Sequence, residues 1–398
     1  MNRRAFLASG LSAGIAAPAL AAPAPPSCVV SRGTGDLGLV IERATGSVLI
    51  VDVSARVILS RIEGLGDLSH ATAVFGPSER YAYVFGRDGG LTKIDMLACR
   101  IDARVIQAGN AIGGAISDDG ALIVASNYTP GGIKVFDAGD LKELASVPAI
   151  GANGKQSKTV GLVDLPGRRF AYALYDADEI WIADFSASMT PALSKLTGVG
   201  RLPYDANVTS DARRYIAGLF GEDGFAYVDL WAEIPKVERV SSGYNAGREK
   251  LPIYKMPHLE GWAQSGGSLL VPAAGQHEAI LFDLETMKEQ ARIPLHSQPV
   301  FCVARPDGRE VWINFAHPAN DTIQILDVPT RRIVHTFKPG PAVLHLEFTP
   351  RGHEVWISVR DADRIDVYDV RTREKKAEIP AAKPSGIFFT ARAHRLGA

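Results

Sequence analysis

Cysteine is scarce in this chain. Only three cysteines occur among 398 residues, and none belongs to a C-x-x-C-H haem attachment motif or to a closely spaced cysteine pair. No H-E-x-x-H and no P-loop occurs, so the sequence predicts neither a c-type haem nor a zinc site, and no such motif assigns a reaction. Cys99 and Cys302 fall in strand-like segments, where we expect two buried small hydrophobic side chains without a disulfide.

An excess of charge of one sign is also missing. The formal net charge is −1, and acidic and basic residues are interspersed along the chain. Binding to nucleic acid needs a concentrated basic face. The sequence therefore predicts no nucleic-acid partner.

Long hydrophobic runs are absent, and the apolar stretch near the N-terminus is too short and too rich in alanine and glycine to span a bilayer stably. Arg3 and Arg4 precede this stretch, and small residues follow it. This order is typical of a twin-arginine signal peptide, which we place at residues 1–27, and it predicts export to the periplasm. Lipid modification at Cys28 is the alternative, although the preceding Pro-Pro-Ser is a poor match to a lipidation site.

What the chain does contain is a repeat. Eight times, a short apolar run ends in an aspartate that is followed by another apolar residue, and successive aspartates are 42 to 54 residues apart. This period is typical of one four-stranded propeller blade. The sequence therefore predicts an all-β, eight-bladed β-propeller over residues 28–398. The repeated residues are Asp52, Asp95, Asp137, Asp184, Asp229, Asp283, Asp327 and Asp369. We expect them to be structural and to accept backbone N–H groups of the next turn.

The two ends of the chain complement each other. The first unit, at about residues 37–62, has only three strands, whereas the C-terminal segment 384–391 is a spare strand. Pairing of this spare strand with the first unit would close the ring and remove an exposed sheet edge.

A propeller binds its ligand at one mouth of the central channel, where loops join second to third strands and one blade to the next. Cationic side chains there suit a polycarboxylate ligand, and histidine suits iron ligation or proton transfer. For each such residue the alternative is an ordinary turn or solvated loop position. We predict ligand binding by Arg32, Asn127, Tyr128, Lys155, Lys158, Arg201, Tyr204, His258 and Arg360. Other histidines near the mouth are His70, His277, His296, His317 and His345.

With these mouth residues in view, the chain resembles the haem d1 domain of cytochrome cd1 nitrite reductases. It more closely resembles the stand-alone periplasmic propellers of haem d1 biosynthesis. The resemblance covers essentially the whole mature chain and is carried by segments 32–52, 126–138, 203–231, 255–267 and 299–328. The missing C-x-x-C-H separates the chain from the nitrite reductase and from the related dehydrogenase NirN, which carry an added c-type haem domain. Nitrite reduction by this chain alone is therefore not expected.

The resemblance implies a late d1-type tetrapyrrole, either haem d1 or its precursor, as ligand at the mouth. It also implies the homodimeric or lipid-anchored state of such proteins, and NirN and the nitrite reductase as partners. His277 and His317, on adjacent blades, are the candidates for groups facing the macrocycle. His258 is the candidate iron ligand.

Two functions fit this resemblance. An enzyme would alter a side chain of the macrocycle by oxidation or hydrolysis, with His277, His317, Glu222 or Asp176 as general acid or base. A carrier would instead present the precursor to NirN or the nitrite reductase. A calcium-dependent lactonase is less favoured, since it needs several carboxylates at the mouth.

Overall fold

The computed structural model describes residues 33–252, 262–273 and 275–395. These residues form 32 strands and two short 3₁₀ turns, Arg360–Ala362 and Thr390–His394. Within these ranges, none of the helical segments has the length and apolar character needed to cross a bilayer. The predicted signal peptide, Cys28, Arg32 and His258 lie outside the described residues.

The strands form eight four-stranded antiparallel sheets, as the repeat predicted. The first four blades contain β1 Leu37–Glu42, β2 Ser47–Asp52, β3 Val57–Ile62, β4 Thr72–Phe75, β5 Tyr81–Phe85, β6 Gly90–Asp95, β7 Arg100–Ile106, β8 Asn110–Ile116, β9 Leu122–Thr129, β10 Ile133–Asp137, β11 Glu143–Val147, β12 Thr159–Leu165, β13 Arg169–Leu174, β14 Glu179–Asp184 and β15 Ala192–Leu196. The last four contain β16 Pro203–Val208, β17 Arg214–Leu219, β18 Phe225–Asp229, β19 Val237–Val240, β20 Ala263–Ser265, β21 Ser268–Pro272, β22 Glu278–Asp283, β23 Glu289–Pro294, β24 Pro299–Ala304, β25 Glu310–Phe315, β26 Ile323–Asp327, β27 Arg332–Phe337, β28 Val343–Phe348, β29 Glu354–Val359, β30 Arg364–Asp369 and β31 Lys375–Pro380.

The remaining strand, β32 (Pro384–Phe389), is the innermost strand of the first blade. It pairs antiparallel with β1, with Gly38 opposite Phe389 and Val40 opposite Ile387. The Thr390 hydroxyl then donates to the carbonyl of Leu37 at 3.1 Å. The first and last segments of the propeller thus share one sheet, which is the ring closure that the sequence predicted.

Burial follows strand position within a blade. The second and third strands of the first blade, β1 and β2, are buried along their whole length, whereas the outer strand β15 of the fourth blade is almost wholly exposed. Apolar layers lie between neighbouring blades. For example, Trp312 of the seventh blade packs edge-on against Phe348 of the eighth, with 5.6 Å between the ring centroids. The mixture of β-branched and aromatic residues in the middle strands suits this two-sided burial.

The eight repeated aspartates are confirmed as turn acceptors or turn formers. Each carboxylate accepts a backbone N–H from two or three residues further on, for example Asp52 from Ala55 at 2.7 Å and Asp369 from Thr372 at 2.8 Å. The corresponding bonds of the other six have the same spacing. The two cysteines of the propeller are free thiols. Cys302 is buried as predicted, whereas Cys99 is only partly buried because it lies in one of these turns with φ of 52°.

Candidate functional site

One end of the central channel opens into a cavity of about 490 Å³. It is bounded by inner strands and mouth loops of six blades, and its size falls within the roughly 300–1,000 Å³ of small-molecule sites. The polar and aromatic residues that line it are Arg43, Ser69, His70, Thr72, Tyr204, Asp205, Phe301, Asn314, Phe315, His317, Asn320, His345, Arg360, Asp361, Ser385 and Phe388.

β-Bulges in the inner strands bring several of these side chains to the cavity. The register of β16 shifts between Pro203 and Ala206, and the residues in between, Tyr204 and Asp205, line the cavity. β24 and β28 have the same irregularity at the same end, where Phe301 and His345 line the cavity. A bulge adds a residue to one strand and redirects its side chains. The inner strands therefore supply the site as well as the scaffold.

A buried amide holds two of these bulges together. The Oδ1 atom of Asn314 accepts the backbone N–H of Phe301 at 2.9 Å. Its Nδ2 atom donates to the carbonyls of Val343 and Leu344 at 3.2 and 3.3 Å. Asn314 is only 1 % exposed, so these hydrogen bonds are shielded from water. They fix β24 of the seventh blade and β28 of the eighth blade relative to each other.

Two guanidinium groups lie on one side of the cavity, together with the carboxylate of Asp361. Arg43 follows β1, and Arg360 follows β29 in the adjacent blade. Burial lowers the pKa of the Arg43 side chain, and the nearby Arg360 charge lowers it further. Arg360 pairs with Asp361 at 3.0 Å, whereas no hydrogen bond to the Arg43 side chain occurs among the described residues. An anion bound here would relieve the repulsion between the two arginines.

The opposite side of the cavity is aromatic. The Tyr204 hydroxyl is hydrogen-bonded to that of Tyr128, whose ring lies 4.8 Å from the Arg87 guanidinium carbon. Burial raises the pKa of both tyrosines, and the charge of Asp205 raises that of Tyr204 further. Both hydroxyls therefore stay protonated at neutral pH and act as neutral hydrogen-bond donors and acceptors.

Three of the residues predicted from the sequence line this cavity, namely His317, Tyr204 and Arg360. Tyr128 reaches it only through its hydrogen bond to Tyr204. Asn127 does not reach it, because its buried amide exchanges two hydrogen bonds with Gln107 at 2.8 and 3.1 Å. The structure thus assigns Asn127 to the packing of the third blade.

The other predicted residues lie on the same face but away from the cavity. The Lys158 ammonium pairs with Asp176 at 2.6 Å. The Glu222 carboxylate pairs with Arg239 at 2.5 Å and accepts the backbone N–H of Arg201 at 3.0 Å. These contacts already use both carboxylates that the sequence suggested as acids or bases.

The remaining two predicted positions are solvated. Lys155 and His277 are exposed, and neither lines the cavity. Of the two histidines predicted to face the macrocycle, His317 therefore lines the cavity and His277 does not. The segment that contains His258 lies outside the described residues, so the structure does not place this histidine.

Sequence reasoning did not select Arg43, His70 or His345 as binding residues. Arg43 could have been found, because it and Arg360 both precede the repeated aspartate of their blade by nine residues. Aligning the repeats would therefore have placed two arginines at equivalent positions in adjacent blades. His345 could not, since it reaches the cavity only through the bulge in β28.

No group of three or more histidine, cysteine, aspartate or glutamate side chains in the described part of the chain is arranged to hold a metal ion. The three cavity histidines come from different loops and strands. They could each contact a metal carried by a ligand, but they do not form a preassembled protein metal site.

Comparison with known proteins gives a consistent result. Residues 32–393 match the family described as "Cytochrome D1 heme domain". Two proteins named NirF, from Stutzerimonas stutzeri and Pseudomonas aeruginosa, are each 54 % identical over 368 residues, which is 92 % of this chain and 94 % of theirs. Among solved structures, the dihydro-heme d1 dehydrogenase NirN, in complex with DHE, superimposes with a TM-score of 0.79 at 26 % identity, covering 93 % of this chain and 80 % of that chain.

Proposed function

The chain belongs to the Cytochrome D1 heme domain family, and from this membership we propose that it binds a late d1-type tetrapyrrole at the propeller mouth during haem d1 biosynthesis. Supporting this, similar proteins are named NirF, and a similar structure is a dehydrogenase of dihydro-haem d1. The ligand is haem d1 or its dihydro precursor.

The observation that carries the proposal is the cavity with its two arginines. A d1-type macrocycle has carboxylate side chains and a flat apolar ring. Arg43 and Arg360 can pair with carboxylates, and Phe301, Tyr204 and Phe388 offer apolar surface to the ring. His70 and His317 line the same cavity and could contact the iron of the bound tetrapyrrole, which would supply redox and ligand-binding chemistry.

We further propose that the bound tetrapyrrole is modified at its side chains. The acid or base would come from the cavity itself, since Glu222 and Asp176 are engaged in ion pairs elsewhere. His317 and Tyr204 are then the candidates from the predicted set. An oxidation would also need an external electron acceptor.

The alternative is a carrier that hands the tetrapyrrole to NirN or to cytochrome cd1 nitrite reductase after export to the periplasm. Cell fractionation tests the export to the periplasm, and copurification tests the interaction with NirN or the nitrite reductase.

A visible-absorption titration with haem d1 tests the binding. We expect Arg43→Gln and Arg360→Gln each to weaken binding by about tenfold or more, because each removes a charge-assisted hydrogen bond. Raised ionic strength should weaken wild-type binding as well. The matched control is Arg371→Gln, an exposed arginine in a turn at the other end of the blades. An unchanged spectrum of wild type on adding haem d1 would contradict the proposal.

Mass spectrometry of the extracted ligand then separates enzyme from carrier. The mature domain is incubated with the dihydro precursor, with and without an electron acceptor. A changed ligand mass that is lost in His317→Ala or Tyr204→Phe, with binding retained, indicates an enzyme. An unchanged mass under all conditions, with binding intact, indicates a carrier.

A further inference from the structure

Tyr204 lies across the cavity from the two arginines. It belongs to the fifth blade and reaches the cavity through the bulge in β16. Arg43 lies in the first blade and Arg360 in the eighth, which are four and three blades away in the ring of eight. A ligand that spans the cavity therefore meets the arginines with one edge and Tyr204 with the opposite edge.

The Tyr204 ring is held in place by aromatic neighbours. The ring of Tyr175 in the fourth blade meets it edge-on, with 5.7 Å between the centroids. The ring of Phe220, which follows β17, lies against it at a tilt, with 6.5 Å between the centroids. The orientation of Tyr204 is thus set within the protein, so a ligand does not have to order this side chain.

The hydroxyl of Tyr204 has its partner in the third blade. It forms a hydrogen bond with the hydroxyl of Tyr128, which is part of β9 and does not line the cavity. Each phenol has a single proton, so one hydroxyl donates in this bond and the other accepts. The accepting hydroxyl keeps its own proton for a further bond. No second hydrogen bond to the Tyr204 hydroxyl occurs among the residues that the structure describes.

A cation decides which of the two hydroxyls donates. The guanidinium carbon of Arg87 lies 4.8 Å from the centroid of the Tyr128 ring. A positive charge over a phenol stabilises the electron density that a departing proton leaves behind, and this makes the phenol a stronger donor. Tyr128 is therefore the donor within the pair, and the proton of Tyr204 can turn to the cavity.

From this arrangement we infer that the Tyr204 hydroxyl donates a hydrogen bond to an oxygen atom on the tetrapyrrole edge that faces the fifth blade, with Tyr128 as the residue that positions it. The inference rests on the proposed function and adds a specificity to it. Carboxylates at the opposite edge pair with Arg43 and Arg360, since charge-assisted hydrogen bonds are stronger than neutral ones. The site then selects tetrapyrroles that carry oxygen on both of these edges.

Two haems differ in this property. Haem d1 carries oxygen-bearing substituents on more than one edge of its ring, whereas protohaem has its only oxygen atoms in two neighbouring carboxylates. When the arginines hold these carboxylates, the edge of protohaem at Tyr204 consists of hydrocarbon and cannot accept a hydrogen bond. The effect of the Tyr204 hydroxyl should therefore appear with haem d1 and not with protohaem.

A purely structural role is the competing explanation, in which the two tyrosines only hold three blades together. Their hydroxyl pair joins the third blade to the fifth, and Tyr175 adds the fourth. Loss of such a contact would change the shape of the cavity wall and weaken the binding of both haems alike. Loss of a donor to the ligand would weaken the binding of haem d1 alone.

Three phenylalanine substitutions separate these explanations, because each keeps the ring and removes one hydroxyl. Tyr204→Phe removes the donor to the ligand, and Tyr128→Phe removes its positioning partner. Tyr227→Phe is the matched control. The hydroxyl of Tyr227 donates to Glu238 in the same blade at 2.6 Å, and this tyrosine does not line the cavity.

The affinity of each variant for haem d1 and for protohaem is measured by absorption titration. We expect Tyr204→Phe to weaken haem d1 binding about tenfold and to leave protohaem binding within about twofold of wild type. Tyr128→Phe should weaken haem d1 binding about threefold, and the double variant should be no weaker than Tyr204→Phe, because both changes act on one bond to the ligand. Equal losses for both haems, or no loss for haem d1, would refute the inference. No binding of haem d1 by wild type would instead overturn the proposed function.

Ultraviolet resonance Raman spectroscopy tests the direction of the hydroxyl bond and needs no protohaem, since tyrosine bands differ between phenols that donate and phenols that accept. In the protein without ligand, the Tyr128 signal, identified by its loss in Tyr128→Phe, should have the pattern of a donor. Addition of haem d1 should shift the Tyr204 signal, identified with Tyr204→Phe, toward the donor pattern. An acceptor pattern for Tyr128, or a shift of Tyr204 toward that pattern, would contradict the inference.

Discussion

Two fully buried tyrosines differ in one hydrogen bond. The Tyr215 hydroxyl donates to the carbonyl of Gly161 in the neighbouring blade at 2.7 Å. The Tyr172 hydroxyl is equally buried but has no hydrogen-bond partner among the residues that the structure describes, and the centroid of its ring lies 6.2 Å from that of Trp181. A buried polar group without a partner loses its bonds to water and gains nothing in exchange. The two hydroxyls should therefore affect stability in different directions.

Replacement of each tyrosine by phenylalanine tests this difference. We expect Tyr215→Phe to lower the free energy of unfolding by about 1–2 kcal/mol, because the Gly161 carbonyl is left unpaired. Tyr172→Phe should leave stability unchanged or raise it by up to about 1 kcal/mol, since it removes an unsatisfied group without making a cavity. Urea denaturation of both variants beside wild type measures the effect. Equal destabilisation by both would mean that the Tyr172 hydroxyl has a partner, such as a buried water.

At the scale of the structural element, the repeated unit is the turn between the third and fourth strands of each blade. The pKa of Asp95 is lowered by its hydrogen bond from Arg80, that of Asp327 by the Thr330 hydroxyl, and that of Asp369 by the backbone N–H of Thr372. The folded pKa values lie below the ordinary aspartate value of about 3.9. As pH falls, these three aspartates therefore become protonated in the unfolded chain before they do so in the folded chain.

The stability that these turns contribute should accordingly be present above about pH 4 and be lost as pH falls through the lowered folded values. We expect the melting temperature of wild type to fall steeply below about pH 4. A variant with Asp95, Asp327 and Asp369 each changed to Asn should melt lower at pH 7 and show a shallower acid decline. Glu233→Gln, at an exposed position, serves as the control. Parallel curves for the triple variant and wild type would show that the turns do not cause the acid sensitivity.

At the scale of the whole molecule, ring closure depends on the strand contributed by the C-terminus. β32 gives the first blade its inner strand, and Ile387, Phe388 and Phe389 are buried between the first blade and its neighbours. Without it, β1 would expose a row of unpaired backbone groups to the channel. Closure therefore joins the stability of the first blade to the last residues of the chain.

A truncation and a circular permutation separate sequence order from spatial order. The domain ending at Lys383 should fail to unfold cooperatively and should aggregate. The permuted domain places residues 384–395 before Gly33, joined by a flexible linker of about six residues. It should regain the melting temperature of the parent domain, because β32 and β1 are already neighbours. Failure of the permuted domain to fold would show that closure requires the original chain ends.

Most of the fold could be predicted because its signal is local. Each blade repeats one apolar run, one aspartate and one turn within a short stretch of chain. Each blade also buries its apolar faces in the same way, against the two neighbouring blades. Asp52 and Asp369 illustrate this, since each carboxylate bonds to backbone within three residues of itself. The spare C-terminal strand was equally visible, since the first repeat lacks one strand.

The cavity was only partly predictable because its wall is set by contacts between distant segments. The sequence by itself determined the number of blades, the closing strand, the turn aspartates and the face on which His317, Tyr204 and Arg360 lie. Only the tertiary structure decided that Glu222 and Asp176 are used in ion pairs and that the bulge in β28 places His345 at the cavity. The physical reason is that a blade repeats within about 45 residues of chain, whereas bulges, ion pairs and ring orientation depend on side chains from other loops and blades.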